Sequence, residues 1–338
     1  MTGIKDVEVK IDVLHPNAVV GLGVPLIVAK GTAVSYKEYK SLETLVVDYG
    51  KETTVYKAAE AEFKQKNKAA YVAVATYVGT TPTAGESLLE VFEKYYGKTW
   101  HFAIFPDATP TEILPASQLV EEKEFKFIVL QSSTKADFTP FIKMPRTLKF
   151  FHAKADTEFL NAAIIGDVAN LPVGQSTWKF RKNLFGITPN DDLTGAEVDA
   201  LHEMGVNTYL TKVGVPQTSE GLAAPGEFID FYHGQDFVKS DAETRLQKLL
   251  VENDKIPAND EGVSMIGSTF TSTLEVAGQQ GIIEKGDSGY LYTIETDKFE
   301  DGAEEDRLKR VYAGVRFSYS PQGAIHKIRV NGSVITTD

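Results

Sequence analysis

Among 338 residues there is no cysteine, so any chemistry has to come from phosphate-cradling glycines, histidine or carboxylate clusters, or an activated hydroxyl. Gly21-Leu22-Gly23 opens like a dinucleotide fingerprint, but residue 26 is Leu and Pro25 leads into an extended run instead of a helix; a turn is expected. Gly97-Lys98-Thr99 matches the end of a phosphate loop, yet residue 92 is Phe and the segment enters a strand at Trp100. A phosphate loop must leave a strand and open a helix to aim its amides at the anion, so Gly97 reads as a glycine past a helix end. Gly79 to Ser87 puts Glu86 where a lysine is needed, which repels phosphate.

Metal and hydroxyl chemistry fare no better. His202-Glu203 is followed by Val206 where a zinc helix needs a second histidine, and the histidines at 15, 101, 152, 202, 233 and 326 share no ligand spacing. The acidic run Asp297, Glu300, Asp301, Gly302 has Phe299 at a calcium-ligand position. Gly85-Glu86-Ser87 lacks the second glycine of a nucleophile elbow. Asp191-Asp192 precedes a helix start at Thr194, where negative charge suits the helix dipole. No catalytic, cofactor-binding or metal-ligating residue is assigned, and no cofactor is expected. Two alternatives stay open: a carboxylate pair made only by the fold, and an α/β enzyme or nucleotide-binding protein with its site in the strand-end loops near Gly79, Asp107 and Ser132.

The elements that would position such groups follow from periodicity. From about Leu22 to His152 the chain repeats strand, polar turn and helix, with strands expected at Pro25–Ala29, Tyr71–Val78, Trp100–Phe105, Phe125–Leu130 and Thr147–Phe151. Several are apolar throughout, as a mainly parallel sheet covered by helices on both faces requires. Thr83 with Glu86, Thr109 with Glu112, Thr194 with Glu197 and Ser240 with Glu243 have capping-box spacing, and Pro110 suits a first helical position. The helix opened at Ser240 would turn Leu246, Leu249 and Leu250 toward a core. Irregular chain between Gly166 and Asp192 marks a boundary before an α+β unit, with a helix over about Asp260–Gln280 and strands near Tyr290–Glu295, Lys309–Ser318 and Ala324–Val330. The expected organisation is an extended arm at 1–20, an α/β domain at 21–190, an α+β domain at 191–320, and a terminal strand or arm at 321–338.

Both ends look extended. Val7, Val9, Ile11 and Val13 alternate with Glu8, Lys10 and Asp12, the pattern of a half-buried strand, and Ile325, Ile328 and Val330 sit in a second β-branched segment. Fourteen arm residues at about 3.3 Å each reach at most roughly 46 Å, far enough to touch a neighbouring molecule. The same face could equally close an edge of the chain's own sheet.

A net charge of −12 opposes binding to nucleic acid phosphates, and Arg307, Lys309 and Arg310 compensate the acidic run before them. Hydrophobic residues at 42% and charged residues at 24% are ordinary for a folded, soluble chain. No apolar run reaches the roughly 18 residues of a membrane span, and the start, MTGIKDVEVK, lacks a signal-peptide pattern, so no membrane insertion is expected.

The run LHEMGVNTYLTKVG, Leu201 to Gly214, followed by APGEFIDFYHGQDFVKSDAETRLQKLLVENDKIP, Ala224 to Pro257, resembles the C-terminal module of contractile phage tail sheath proteins. In that family a helix and a "GVN" turn lead into a strand, then a short acidic strand and a helix ending before a proline. An often basic position in that short strand is His233 here. The resemblance covers Leu201 to Val334 in detail and the α/β half by its order of elements. It implies a structural subunit, not an enzyme. Such subunits stack as sixfold rings around a tail tube, joined by exchanged arms, and contract to drive the tube through a host envelope. Implied partners are other copies of the chain, the tube protein, and baseplate and tail-terminator proteins, in a virion tail assembled in the bacterial cytoplasm. Lys239, Arg245 and Lys248 would be tube-facing, or else a solvated helix face. A tube or baseplate component is a further virion alternative.

Overall fold

The structure, a computed structural model, describes residues 22–31, 35–79 and 86–332. Val7, Val9, Ile11, Val13 and Thr83 lie outside the described residues.

The strands β1 (Pro25–Lys30), β2 (Lys37–Tyr39), β3 (Val72–Tyr77), β4 (Phe102–Ile104), β5 (Phe127–Ser132), β6 (Thr147–Phe151), β7 (Val206–Lys212) and β8 (Val215–Thr218) form one sheet in the order β2-β3-β1-β4-β5-β6-β7-β8. The six inner strands are parallel, and the outer pairs β2–β3 and β7–β8 are antiparallel. Each of the five strands expected between residues 22 and 152 is present. Their uniform apolarity has a simple cause. Along β1, Ile27 and Ala29 enter one core while Leu26 and Val28 enter the core on the opposite face; along β5, Phe127 and Val129 do the former and Ile128 and Leu130 the latter.

Helices α1 (Leu42–Tyr49) and α2 (Thr54–Phe63) cover the first face, and α3 (Leu88–Lys94) and α4 (Pro110–Lys123) the second. Helix α5 (Leu160–Val168) returns to the first face, and α6 (Gly195–Glu203) lies on the second, with Leu201 in its core. Thr109–Glu112 and Thr194–Glu197 form the expected reciprocal caps at α4 and α6. At α3 the cap is Ser87 with Glu90, while Glu86, one residue earlier, pairs with Lys94 at 2.8 Å. The sheet crosses the boundary expected at 190/191, because β7 pairs with β6 and β8 with β7.

The "GVN" turn joins α6 to that sheet. Gly205 has φ 68°, and a side chain there would lie 2.8 Å from the Ala224 carbonyl carbon. Asn207, fully buried, accepts from the Leu222 amide at 2.7 Å and donates to the Leu222 carbonyl at 2.8 Å. That seats β9 (Leu222–Ala224) and its short partner β10 (Glu227–Phe228) against the sheet.

Helix α7 departs most from expectation. It spans Ile229–Glu252, 24 residues, so Ser240 is interior and His233 lies on the helix, not in a strand. Gly226 at φ 79° turns the chain, and Phe228 stands at the N-cap without a side-chain cap. Burial of Ile229, His233, Phe237 and Val238 drives this extra first half, so tertiary packing overrides weak local signals. Helix α8 (Asp260–Gln279) packs antiparallel to α7 across a third core with Phe237, Ala242, Phe270 and Leu274. After the short hairpin β11 (Lys285–Gly286) and β12 (Gly289–Tyr290), strands β13 (Tyr292–Thr296) and β14 (Val315–Tyr319) pair antiparallel, with α9 (Glu304–Leu308) in the acidic loop between them. Expected strand Lys309–Ser318 therefore begins only at Val315. Expected strand Ala324–Val330 finds no partner among the described residues, and residues 322–332 carry no regular structure.

Candidate assembly interface

The strand-end loops come first because a doubly wound sheet places ligands there. The order of strands reverses between β1 and β4, the usual ligand crevice. There the Lys30 amide donates to Asp107 Oδ2 at 3.2 Å, and Lys30 Nζ lies 3.2 Å from Glu112 Oε1. Glu112 also accepts from the Thr109 amide at the N-cap of α4, and Glu90 from the Ser87 amide at that of α3, while the N3 amides donate to the Thr109 and Ser87 hydroxyls, so each helix start already holds a carboxylate where an anion would sit. Ser132 Oγ donates to Asp137 at 2.6 Å. Gly79 borders residues outside the description. His202 Nε2 meets Ser219 Oγ at 2.9 Å, and Asp191 accepts from the Thr211 amide at 2.7 Å instead of serving the α6 dipole. Gly23 is packed against Ala169, where a side chain would strike the carbonyl oxygen at 1.8 Å. Gly97 lies two residues past the α3 C-cap, Tyr95. No metal-ligating cluster occurs among the described residues, and no helix is long and apolar enough to cross a membrane.

The opposite end of the sheet carries a cluster that motif reasoning missed. His101, Lys126 and Arg146 each immediately precede a strand, β4, β5 and β6, and all converge on Asp236 of α7. Arg146 Nη1 donates to Asp236 Oδ2 at 2.8 Å, the Lys126 amide at 3.3 Å, and His101 Nε2 lies 3.0 Å away. Lys126 Nζ instead donates to the carbonyls of Tyr96 and Lys98 and sits 3.9 Å above the Trp100 ring. Burial pushes its ammonium down to about 7. His233 stacks on His101 with centroids 5.4 Å apart, bonds to the Leu22 carbonyl at 3.0 Å, and is pushed down to about 3, chiefly by burial. Burial alone would raise the Asp236 carboxyl; His101 and Arg146 bring it below its ordinary value. A signal for this cluster does exist in the sequence: a cation or histidine directly ahead of successive apolar strands.

The C-terminal region is unfinished by comparison. The β13–β14 sheet has no third strand among the described residues. Beside β14 runs an open groove of about 1090 Å³, lined by Leu246, Leu249 and Leu250 of α7, Phe270 of α8, and Val315 and Phe317 of β14. Phe317 packs on Phe270 at 4.6 Å yet stays 46% exposed, and Leu250 is 58% exposed. Of the expected leucine stripe, Leu246 packs against the third core while Leu250 opens into this groove. Past Gln322, whose amide donates to the Ile282 carbonyl, the chain carries no regular structure, with Ile325, Ile328 and Val330 each at least 80% exposed.

Residues 229–334 match the family "E217 tail sheath protein gp31-like, C-terminal domain". The helical sheath of the anti-feeding prophage in its contracted state superposes with TM-score 0.74 at 12% identity, covering 98% of this chain and 99% of that one. The contracted sheath complex of PVC, an extracellular contractile injection system, gives 0.67 at 12% identity over 98% of both chains. This is the contractile tail sheath fold. The sheath tail protein Lin1278 from Listeria innocua shares it at TM-score 0.58 and 13% identity, over 81% of this chain and 88% of that one. No curated protein matches the sequence.

Within the sheath fold, Lys239, Arg245 and Lys248 all lie on α7 but do not make one cationic stripe. At about 100° per residue only Arg245 and Lys248 are neighbours around the helix. Each also has a local partner: Lys239 lies over Phe125, Arg245 Nε bonds Asp241 at 2.6 Å, and Lys248 lies 3.6 Å from Glu252.

Proposed function

We propose that the chain is the structural subunit of a contractile sheath, polymerising as stacked rings around a tail tube and shortening to drive that tube through an envelope. The observation that carries this reading is a two-stranded sheet with no third strand among the described residues, beside a mainly apolar groove, together with a segment that has no strand partner among those residues and exposes Ile325, Ile328 and Val330. A strand donated by another copy would complete β14 and lay its apolar side chains on α7. The N-terminal alternation of Val7, Val9, Ile11 and Val13 supplies a second donor. The gain from burying a few β-branched side chains is comparable to the cost of ordering an arm, so assembly is templated by the tube.

Under this reading the other partners are the tube, baseplate and terminator proteins, and the tube contact includes some of Lys239, Arg245 and Lys248. The particle is assembled in a bacterial cytoplasm, and the subunit needs neither catalysis nor cofactor. The domains are a sheet unit and an arm-bearing α+β unit. Negative-stain microscopy of the purified chain with its tube protein should show striated tubes. Persistent monodisperse monomers that are stabilised by a nucleotide or metal in a thermal-shift panel would replace the sheath reading with the enzyme one.

A further inference from the structure

Along residues 321–332 every side chain is exposed except one, His326. Its ring is inserted into a socket on the body of the subunit while its neighbours stand in solvent. Nε2 lies 2.8 Å from Thr177 Oγ1, and Nδ1 faces Glu220 Oε2 at 3.4 Å without a hydrogen bond among the described residues. The Phe228 ring meets it edge-on at 4.8 Å and Phe180 at 6.1 Å. The socket is itself rigid: Lys179 Nζ holds the buried Glu220 at 2.5 Å, and the Lys179 amide donates to Thr177 Oγ1 at 3.3 Å.

Of His326, Ile328 and Val330, only His326 is engaged, while Ile328 and Val330 are more than 80% exposed. Among the described residues the last backbone hydrogen bond before the socket is that of Gln322, four residues earlier, and the contacts that hold the arm at this point are those of the imidazole.

We propose that His326 is the pivot of the C-terminal arm: its socket keeps the root of the arm on its own subunit and leaves only the residues beyond it free to pair with a second copy. This rests on the sheath reading for the identity of the second copy, but the pivot itself is a property of a single subunit. His326 is a positioning residue. It fixes where the arm leaves the body, and hence which strand register a neighbour receives.

The absence of cysteine makes the test direct. A spin label is placed at Ile325→Cys or at Ile328→Cys and its mobility is read in dilute, unassembled protein. The label at 325 should be restrained and the label at 328 mobile. His326→Ala should free the 325 label and leave the 328 label unchanged, with the circular dichroism of the body unaltered. Thr177→Val, which alters the socket and not the arm, should shift the 325 label in the same direction. Equal mobility at 325 in parent and both variants overturns the proposal, as does a 328 label as restrained as that at 325. Should the parent also polymerise, the His326→Ala protein is expected to need a several-fold higher concentration to do so. Failure of the parent to polymerise would count against the sheath reading while the label result stands.

Discussion

The two ends of helix α7 face opposite kinds of environment. Its first half closes the amino-terminal edge of the sheet, where three strand starts converge on one buried carboxylate and both faces of the sheet are covered. Its second half borders a groove that is mainly apolar, open and flanked by β14, whose outer edge has no partner among the described residues. The sheet is the more complete object, with the apolar side chains of its inner strands buried on both faces within the subunit. The C-terminal region keeps the same materials available, and the difference separates residues that stabilise the monomer from residues available for association.

The sharpest way to break this comparison is to remove the joint. Asp236→Ala leaves Arg146 buried without its carboxylate, and loss of one partner from a buried pair costs roughly 3–5 kcal/mol. Urea denaturation should show that loss, and unfolding of the α7–α8 region ahead of the sheet. A single unchanged transition would mean that the two regions are not joined there. Next comes Leu250→Asp. An exposed side chain changes monomer stability by only about 0.5 kcal/mol or less, whereas a charge in a docking groove should abolish sedimentable polymer. A large fall in monomer melting temperature instead would show that the groove belongs to the core.

The smallest effect concerns the more complete half alone. Glu62 is buried beneath the Ala69 amide, and burial pushes its carboxyl up to about 8. A raised folded-state value means that its contribution is present below the ordinary carboxylate range and is lost as pH rises toward 8. Glu62→Gln should therefore flatten the decline of melting temperature between about pH 4.5 and 8, followed by circular dichroism. An identical pH profile in the variant would show that this carboxyl is not held protonated.

Legibility in the sequence tracks locality. Strands β1, β3, β4, β5 and β6 were readable because burial on both faces leaves continuous apolar runs. The caps at Thr109 and Thr194 were readable because each is completed within three residues. The start of α7 was not, since Phe-Tyr-His-Gly has β-like composition, and its helicity is decided by contacts with residues over 80 positions away, such as Arg146. Ser240 with Glu243 carries cap spacing without a helix start, a coincidence that local pattern cannot reject. Ile325, Ile328 and Val330 read as a strand from their β-branched composition, but whether such a segment pairs inside the subunit depends on sheet edges that no short window contains. His326 gave no signal at all, because its partners at 177 and 220 are brought to it only by the fold.

Helix α7 has one further consequence, a mechanical one. From Asp236 to Leu250 it is continuous, and at about 1.5 Å per residue this is a rod of roughly 21 Å with no proline to bend it. A pull exerted on a strand lying in the groove would reach the strand starts at His101, Lys126 and Arg146 as displacement of a stiff lever and would not be absorbed by bending. In a polymer, load taken up in the groove would then pass to the sheet of the same subunit along a continuous helix.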